Sequence, residues 1–248
     1  MLIDIISLFP EYFSSPLAVS ILKRAIEKKL LEIRQINIRD FAKDKHKTVD
    51  DRPFGGGPGM VLMPQPVTEA IRSVKEKESY VIYLSPQGKK LTAKKCESLS
   101  KKPHLVLLCG HYEGIDKRAL QEVKEEISIG DYVLTNGCLP AMVLIDAVAR
   151  FIPEVLGHPE AARKDTFQQG VFDCPHYTRP EEFEGKKVPE ILKMGNHEKI
   201  EKWRLKEGLK KMREMRPDLY VKYLLEKASK KSQIKKEGEK CCEPKSMH

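Results

Sequence analysis

The chain opens on a β-branched, apolar run from Leu2 to Leu8 that Phe9-Pro10 closes. Apolar residues then recur at helical intervals from Leu17 to Leu31, and a second β-like run covers Ile33 to Ile38. The pattern predicts strand, helix, strand. From Arg39 to Gln65 no period survives, and the segment is polar and rich in Gly and Pro. A stretch this long without period in a compact domain is usually functional or disordered. Pro66 opens a helix over Val67 to Val74, Tyr80 to Leu84 reads as a strand, Thr92 caps a short helix, and His104 to Cys109 is another strand. A helix is predicted from Asp116 to Val123, a short strand from Ile127, and an apolar helix from Ala141 to Phe151 that Pro140 starts. Periodicity fails again from Pro153 to about Pro189. It returns with Ile191, Ile200, Trp203, Leu209 and Met212 in helical phase, and a second helix follows Pro217 through Leu219 to Leu225. Alternating β and α segments predict an α/β fold with a largely parallel sheet, plus a small α-helical C-terminal domain. The expected division is an α/β domain at 1–160, a flexible linker at 161–175, a helical domain at 176–228 and a basic, disordered tail at 229–248.

Composition narrows the class. With 248 residues, 40% hydrophobic and 33% charged, the chain has material for a real core, and collagen-like or wholly disordered classes are excluded. No run approaches the roughly 18 uninterrupted apolar residues of a membrane helix, and the start lacks the basic region of a secretory signal. The expected place is the cytoplasm, with no membrane partner. The net charge of +9 favours a polyanion such as nucleic acid, although +4 of it lies in the last 22 residues. Cys96, Cys109, Cys138 and Cys174 are scattered without CxxC spacing, and only Cys241 and Cys242 are adjacent. Reduced thiols are expected, while the abundance of Lys and Glu, which would suit a thermophile, keeps an intracellular disulfide open.

Three turns each follow a strand: Leu84-Ser85-Pro86-Gln87-Gly88, Cys109-Gly110-His111-Tyr112-Glu113-Gly114-Ile115-Asp116, and Ile129-Gly130-Asp131-Tyr132-Val133-Leu134-Thr135-Asn136-Gly137. In parallel sheets the carboxyl ends of strands form the ligand crevice, so three Gly turns there predict one pocket. There is no Walker A ending after Gly55-Gly56-Gly57-Pro58-Gly59 and no GxGxxG, so triphosphate hydrolysis lacks support. Taken singly, Asp146 and Arg150 read as a helical ion pair, and Asp165 of Lys164-Asp165-Thr166-Phe167 as a turn cap. His158, Cys174 and His176 do not have a recognised zinc spacing, and Trp203 falls among core positions.

Assembled in order, DKHKTVDDRPFGGGPGM (44–60), LSPQG (84–88), CGHYEGID (109–116), SIGDYVL (128–134), LPAMVLIDAVARFIP (139–153), KDTF (164–167), DCPHYTRP (173–180) and GNHEKIEKWR (195–204) closely resemble the bacterial tRNA (guanine-37-N1)-methyltransferases of the SPOUT superfamily. The likeness spans about residues 1–220. It implies a SPOUT-type sheet with a deep trefoil knot, against the rule that chains do not thread loops. It also implies a homodimer with active sites between protomers, S-adenosylmethionine as methyl donor, and Mg²⁺ in catalysis without identifying its ligands. Carried over, the donor site takes Tyr83, Leu84, Ser85, Pro86, Gln87, Gly110, Tyr112, Glu113, Gly114, Ile129, Gly130, Asp131, Tyr132, Val133, Leu134, Gly137 and Pro140. Asp165 matches the general base and Arg150 the arginine that acts on the guanine.

The chemistry suits those types: guanine N1 carries a proton near neutral pH, and charge released by its removal spreads to O6. The anticodon stem-loop of tRNA is the implied partner, since N1 lies on the Watson–Crick edge and must be unpaired. Residues 153–172 are expected to order over the RNA, and Lys43, Lys45, His46, Lys47, Arg52, Lys164 and Arg179 to contact its backbone. Three departures stand out: Asn136-Gly137-Cys138 where the family commonly has Gly-Gly-Glu, Phe54 where Tyr is frequent, and His111 where Arg is common. A SPOUT enzyme acting on another RNA nucleoside, or an RNA-binding protein without catalysis, are the competing readings.

Overall fold

A computed structural model describes residues 1–158, 161–168 and 170–240, with the backbone alone for Lys164 and 230–240. It divides into two compact units, Met1–Ala162 and Arg163–His248. In the first unit, β1 (Leu2–Ser7), α1 (Ser20–Glu27), β2 (Glu32–Asn37), α2 (Pro64–Val74), β3 (Ser79–Lys90), α3 (Ala93–Ser100), β4 (His104–Cys109), β5 (Glu125–Ser128) and α4 (Cys138–Ala149) follow in order. The five strands form one sheet in the order β2-β1-β4-β3-β5, every pairing parallel. The mixed α/β class with a largely parallel sheet and C-terminal helices is therefore present.

Burial explains the sequence of each strand. β4 (HLVLLC) lies inside the sheet with all six residues buried, which is why it reads as a continuous apolar run. β2 (EIRQIN) is an edge strand, and its Glu32, Arg34 and Gln35 remain exposed. Alternate residues feed two cores, with Ile3, Ile5, Leu105 and Leu107 on one face and Ile6, Val81, Val106 and Leu108 on the other. On the second face, near the amino ends of the strands, the fully buried Asp4 carboxylate accepts hydrogen bonds from Arg34 Nε and Nη2 at 2.6 and 2.7 Å. His104 Nε2 lies 2.8 Å from the same carboxylate.

Some elements differ from the expectation. The helix expected from Leu17 is shortened to Ser20–Glu27, because Ser20 and Lys29 adopt positive φ (54° and 59°) at its two ends. The expected helix from Asp116 is only a 3-10 turn, Ala119–Glu122, since the Asp116 side chain accepts from Arg118 N at 2.9 Å and closes a turn instead. α2 begins at Pro64, two residues early, where a proline lacks no bond that a first helical turn would make. α3 starts as expected, with the Thr92 hydroxyl accepting from Lys95 N at 3.2 Å.

In the second unit, a helical turn at Ala161–Lys164 crosses the boundary, a two-residue hairpin pairs Glu182–Phe183 with Lys186–Lys187, and α5 (His197–Met215) and α6 (Pro217–Lys240) follow. Asn196 caps α5, its side chain accepting from Lys199 N at 3.1 Å, whereas α4 starts from Gly137 with the preceding Asn136 side chain accepting from Cys138 N at 2.9 Å in a local turn. α6 runs through 229–240, where the sequence pattern predicts a disordered tail, and the Lys, Glu and Gln residues of that stretch are good helix formers. Residues 241–248, and Pro159, Glu160 and Gln169 within the expected mobile segment, lie outside the described residues.

Candidate active site

The pocket is built where β3, β4 and β5 end side by side. Leu84 and Lys89 of β3 both pair with Ile127, so Ser85 to Gly88 leave the ladder as a protrusion at the sheet rim. Only glycine serves at 88, because a Cβ there would stand 2.5 Å from the backbone of Glu126 and Ile127. Beyond β4 the chain turns through Tyr112, whose φ of 57° is an uncommon conformation for a non-glycine residue, of the kind that concentrates at binding sites. The same turn is tied to the Gly-rich segment: Glu113 N donates to Met60 O and Leu62 N to Gly114 O, each at 3.0 Å. Gly137 N donates to Gly110 O at 2.8 Å, and a Cβ on Gly137 would lie 2.9 Å from the Cys109 Cα, so the start of α4 sits directly against the end of β4.

These contacts enclose a cavity of about 200 Å³. Fifteen of the residues expected from sequence line it: Tyr83, Leu84, Ser85, Pro86, Gly110, Tyr112, Glu113, Gly114, Ile129, Gly130, Tyr132, Val133, Leu134, Gly137 and Pro140. Gln87 and Asp131 do not. The Gln87 side chain is exposed on the protrusion while its N–H is held by Ser85 Oγ at 3.2 Å, and the exposed Asp131 carboxylate pairs with Lys90 at 3.4 Å. The structure adds His111, Ile127, Ser128, Thr135 and Asn136. His111 and Ser128 lay inside the quoted motifs; what places them at the wall is the antiparallel bridge between His111 and Asn136 and the Ser128 hydroxyl's bonds to Gly130. Burial, with the nearby Glu126 charge, pushes the Tyr83 phenol above its ordinary range, so it is a neutral wall of the cavity. Tyr132 and Val133 stay exposed and form the open side.

Arg150 caps the carboxyl end of α4 and is half-buried. Asp165 is half-buried in the second unit, where its carbonyl accepts from Gln168 N at 3.2 Å. Of the expected RNA contacts, Lys43, Lys45, His46, Lys47, Arg52 and Arg179 are exposed, and two of them are engaged locally, Lys43 with Glu69 at 3.0 Å and Lys47 with Asp40 at 3.3 Å.

In the second unit, Lys202, Leu205, Lys206, Leu209, Lys210, Arg213, Glu214 and Tyr220 line an open groove of about 730 Å³ along α5 and α6. It is larger than the cavity at the strand ends. The four cations in its mixed wall, Lys202, Lys206, Lys210 and Arg213, nevertheless suit a polyanion, whereas the convergent glycines and backbone groups of the smaller cavity suit a compact ligand. Trp203 is half-buried, its ring 6.4 Å from that of Tyr177. Donor atoms of Asp173, Cys174 and His176 lie within 4.8 Å of one another, a grouping that their spacing in sequence did not suggest. His176 Nε2 and Asp173 Oδ2 are 2.8 Å apart, so part of this cluster already satisfies itself.

The family model described as tRNA (Guanine-1)-methyltransferase TrmD matches residues 1–222. A tRNA (guanine-N(1)-)-methyltransferase of Protochlamydia amoebophila is 64% identical over 220 residues, covering 88% of this chain and 99% of the relative. A protein of the same name from Dictyoglomus turgidum is 56% identical over 220 residues, covering 89% and 90%. One from Chlamydia pneumoniae is 58% identical over 229 residues, covering 92% of this chain and 63% of that relative's length. With colinear motifs, a parallel sheet whose strand ends enclose a glycine-walled cavity, and a match over residues 1–222, this chain belongs to the tRNA (guanine-1)-methyltransferase family.

Proposed function

We propose that this protein transfers the methyl group of S-adenosylmethionine to N1 of the guanosine at position 37 of tRNA. The observation that carries the reading is the cavity at the carboxyl ends of three adjacent parallel strands, in a chain of the guanine-methylating family. Its residues fit the donor: Leu84, Ile129 and Leu134 offer apolar faces for adenine, and the glycines bring backbone groups to the wall. When bound, S-adenosylmethionine supplies an electrophilic methyl on sulfur, and transfer is an in-line displacement in which the protein mainly positions the partners. Asp165 takes the N1 proton, and the Arg150 guanidinium stabilises the charge that develops at O6.

The helical unit holds the anticodon stem-loop, with Lys202, Lys206, Lys210 and Arg213 set for phosphates. The enzyme acts as a homodimer with active sites between protomers. Support comes from α4, whose exposed face carries Asp146 but also leaves Leu139 and Val143, one turn apart, about half exposed. The sheet carries the trefoil knot of the superfamily, and the protein works in the cytoplasm. No helix among the described residues is long and apolar enough to cross a membrane. The Mg²⁺ expectation is less well served. The one convergent donor set among the described residues, Asp173, Cys174 and His176, offers sulfur and imidazole where Mg²⁺ prefers oxygen, so no step is routed through the ion.

The test is incubation with radiolabelled S-adenosylmethionine and two tRNA transcripts, one with guanosine at position 37 and one with that base replaced. Label on the first alone, recovered as 1-methylguanosine, is the expected result. Label on both reassigns the acceptor, and label on neither removes the reading.

A further inference from the structure

Between Asp165 and α5, three donors of different chemistry converge. Asp173, Cys174 and His176 each offer one atom, a carboxylate oxygen, a sulfur and an imidazole nitrogen, and these atoms all lie within 4.8 Å of one another. The His176 ring approaches with Nε2, 2.8 Å from Asp173 Oδ2. The other carboxylate oxygen, Oδ1, accepts from Cys174 N at 2.8 Å, so Asp173 is held on one side and presents Oδ2 on the other. Cys174 is 8% exposed whereas Asp173 and His176 are exposed, which puts the cluster at the surface with its sulfur on the protein side. Pro175, whose φ is fixed by its ring, limits the freedom of the turn between Cys174 and His176.

Ligand chemistry selects the ion. A tetrahedral Zn²⁺ sits about 2.0–2.2 Å from nitrogen and oxygen and about 2.3 Å from sulfur, which sets its donors roughly 3.3–3.6 Å apart. Donor atoms no more than 4.8 Å apart are within a side-chain rotation of that spacing, and the 2.8 Å Asp173–His176 pair has to open by about half an ångström. Thiolate, imidazole and carboxylate are ligands of Zn²⁺, and of Co²⁺ in its place, whereas Mg²⁺ and Ca²⁺ take oxygen. The charges also agree, since a divalent ion cancels those of one thiolate and one carboxylate. On binding, the thiol proton goes to solvent and the neutral imidazole carries its one proton on Nδ1, with no electron transferred. Three protein ligands leave the fourth position to water.

The surroundings show what such an ion would hold. Asp173 N donates to Thr166 Oγ1 at 3.1 Å, and the Phe167 and Phe172 rings meet edge to face with centroids 5.6 Å apart. A Cβ on Gly208 would stand 2.2 Å from Phe172 O, so the chain just before the cluster lies directly on α5. Just after it, the Tyr177 ring is 6.4 Å from that of Trp203, also on α5. We propose that Asp173, Cys174 and His176 form a Zn²⁺ site that fastens the chain around residues 173–177 against α5.

The test takes the reduced full-length protein, strips it of metal with a chelator and titrates it with Co²⁺ and then Zn²⁺. Expected are one Co²⁺ per chain with a thiolate-to-cobalt charge-transfer band, its displacement by Zn²⁺ but not by equimolar Mg²⁺, and slower hydrogen exchange at 173–177 when Zn²⁺ is bound. Cys174→Ser removes the charge-transfer band. His176→Ala weakens Zn²⁺ binding by roughly tenfold or more while its metal-free Tm matches that of the wild type, because the ring is exposed; a lost ligand is thereby told from a lost fold. The double variant Cys241→Ser with Cys242→Ser keeps the band, which assigns the signal to Cys174 and not to the adjacent thiols. No charge-transfer band, a band that survives Cys174→Ser, or Zn²⁺ affinity unchanged in His176→Ala overturns the proposal. Displacement of Co²⁺ by equimolar Mg²⁺ overturns the choice of metal, and exchange at 173–177 that Zn²⁺ leaves unaltered overturns the fastening role. None of these readouts uses S-adenosylmethionine or tRNA, so the outcome stands apart from the methyl-transfer reading.

Discussion

The α/β unit and the helical unit hold themselves together in different ways. Five parallel strands and their covering helices bury whole apolar runs, and β4 has no exposed residue. α5, at nineteen residues, buries only Ile200, Gly208 and Met212, and much of its remaining surface is Lys, Arg and Glu. A close-packed sheet fixes backbone positions to a fraction of an ångström, which a small cavity walled by glycine requires. A polar helix pair fixes them less tightly, but attraction to a polyanion falls off slowly enough not to need that precision. The glycine-walled cavity is accordingly on the close-packed unit and the open groove on the polar one.

The sharpest challenge to this contrast is Asp165, a single position in the helical unit to which chemistry is assigned. Asp165→Asn should lower the methyl-transfer kcat by about 100- to 10,000-fold, while calorimetry finds S-adenosylmethionine affinity unchanged. Near-full activity would leave the helical unit with binding alone. On the rigid side, Asp4→Asn should cost roughly 3–5 kcal/mol, read as a fall in Tm, because the buried carboxylate answers both Arg34 and His104. A variant as stable as the wild type would mean that the polar cluster under the sheet is dispensable.

Gly137→Ala should cost less, about 1–3 kcal/mol, since the added Cβ meets backbone that has little room to move. It should also weaken donor binding, and a variant that binds the donor normally would show that α4 and β4 can separate without harm to the cavity. The smallest structural effect is expected from Lys206→Glu with Lys210→Glu in the groove. Stability should stay within about 0.5 kcal/mol per site. The KM for tRNA should rise, with the salt dependence of binding shallower by about one unit for each phosphate that the lysines no longer neutralise. Unchanged tRNA binding would take the groove out of the RNA path.

Most of the sheet was legible because its strands are buried on both faces and carry long apolar runs, as in Leu2 to Leu8 and His104 to Cys109. The 116–123 segment misled because its apolar spacing was outweighed by one side-chain turn at Asp116. The hairpin at 182–187 went unread, since two-residue strands leave no period and only Glu184-Gly185 marks the turn. Of the site, the glycine turns were visible as motifs. His111, Ser128, Thr135 and Asn136 reach the wall through a bridge and a hydroxyl turn that no local spacing encodes.

The sequence by itself determined the class of fold, the family and fifteen of the twenty cavity residues, because buried strands impose apolar runs and close backbone approaches impose glycine. Tertiary structure alone decided which neighbours those residues have. It turned Gln87 and Asp131 away from the cavity, brought Glu113 against the Gly-rich segment, and set Gly137 against Cys109, far apart in sequence. The physical reason is that strand order is long-range information: β5 pairs with β3 across an intervening strand in sequence, and only that pairing brings the three turns to one place.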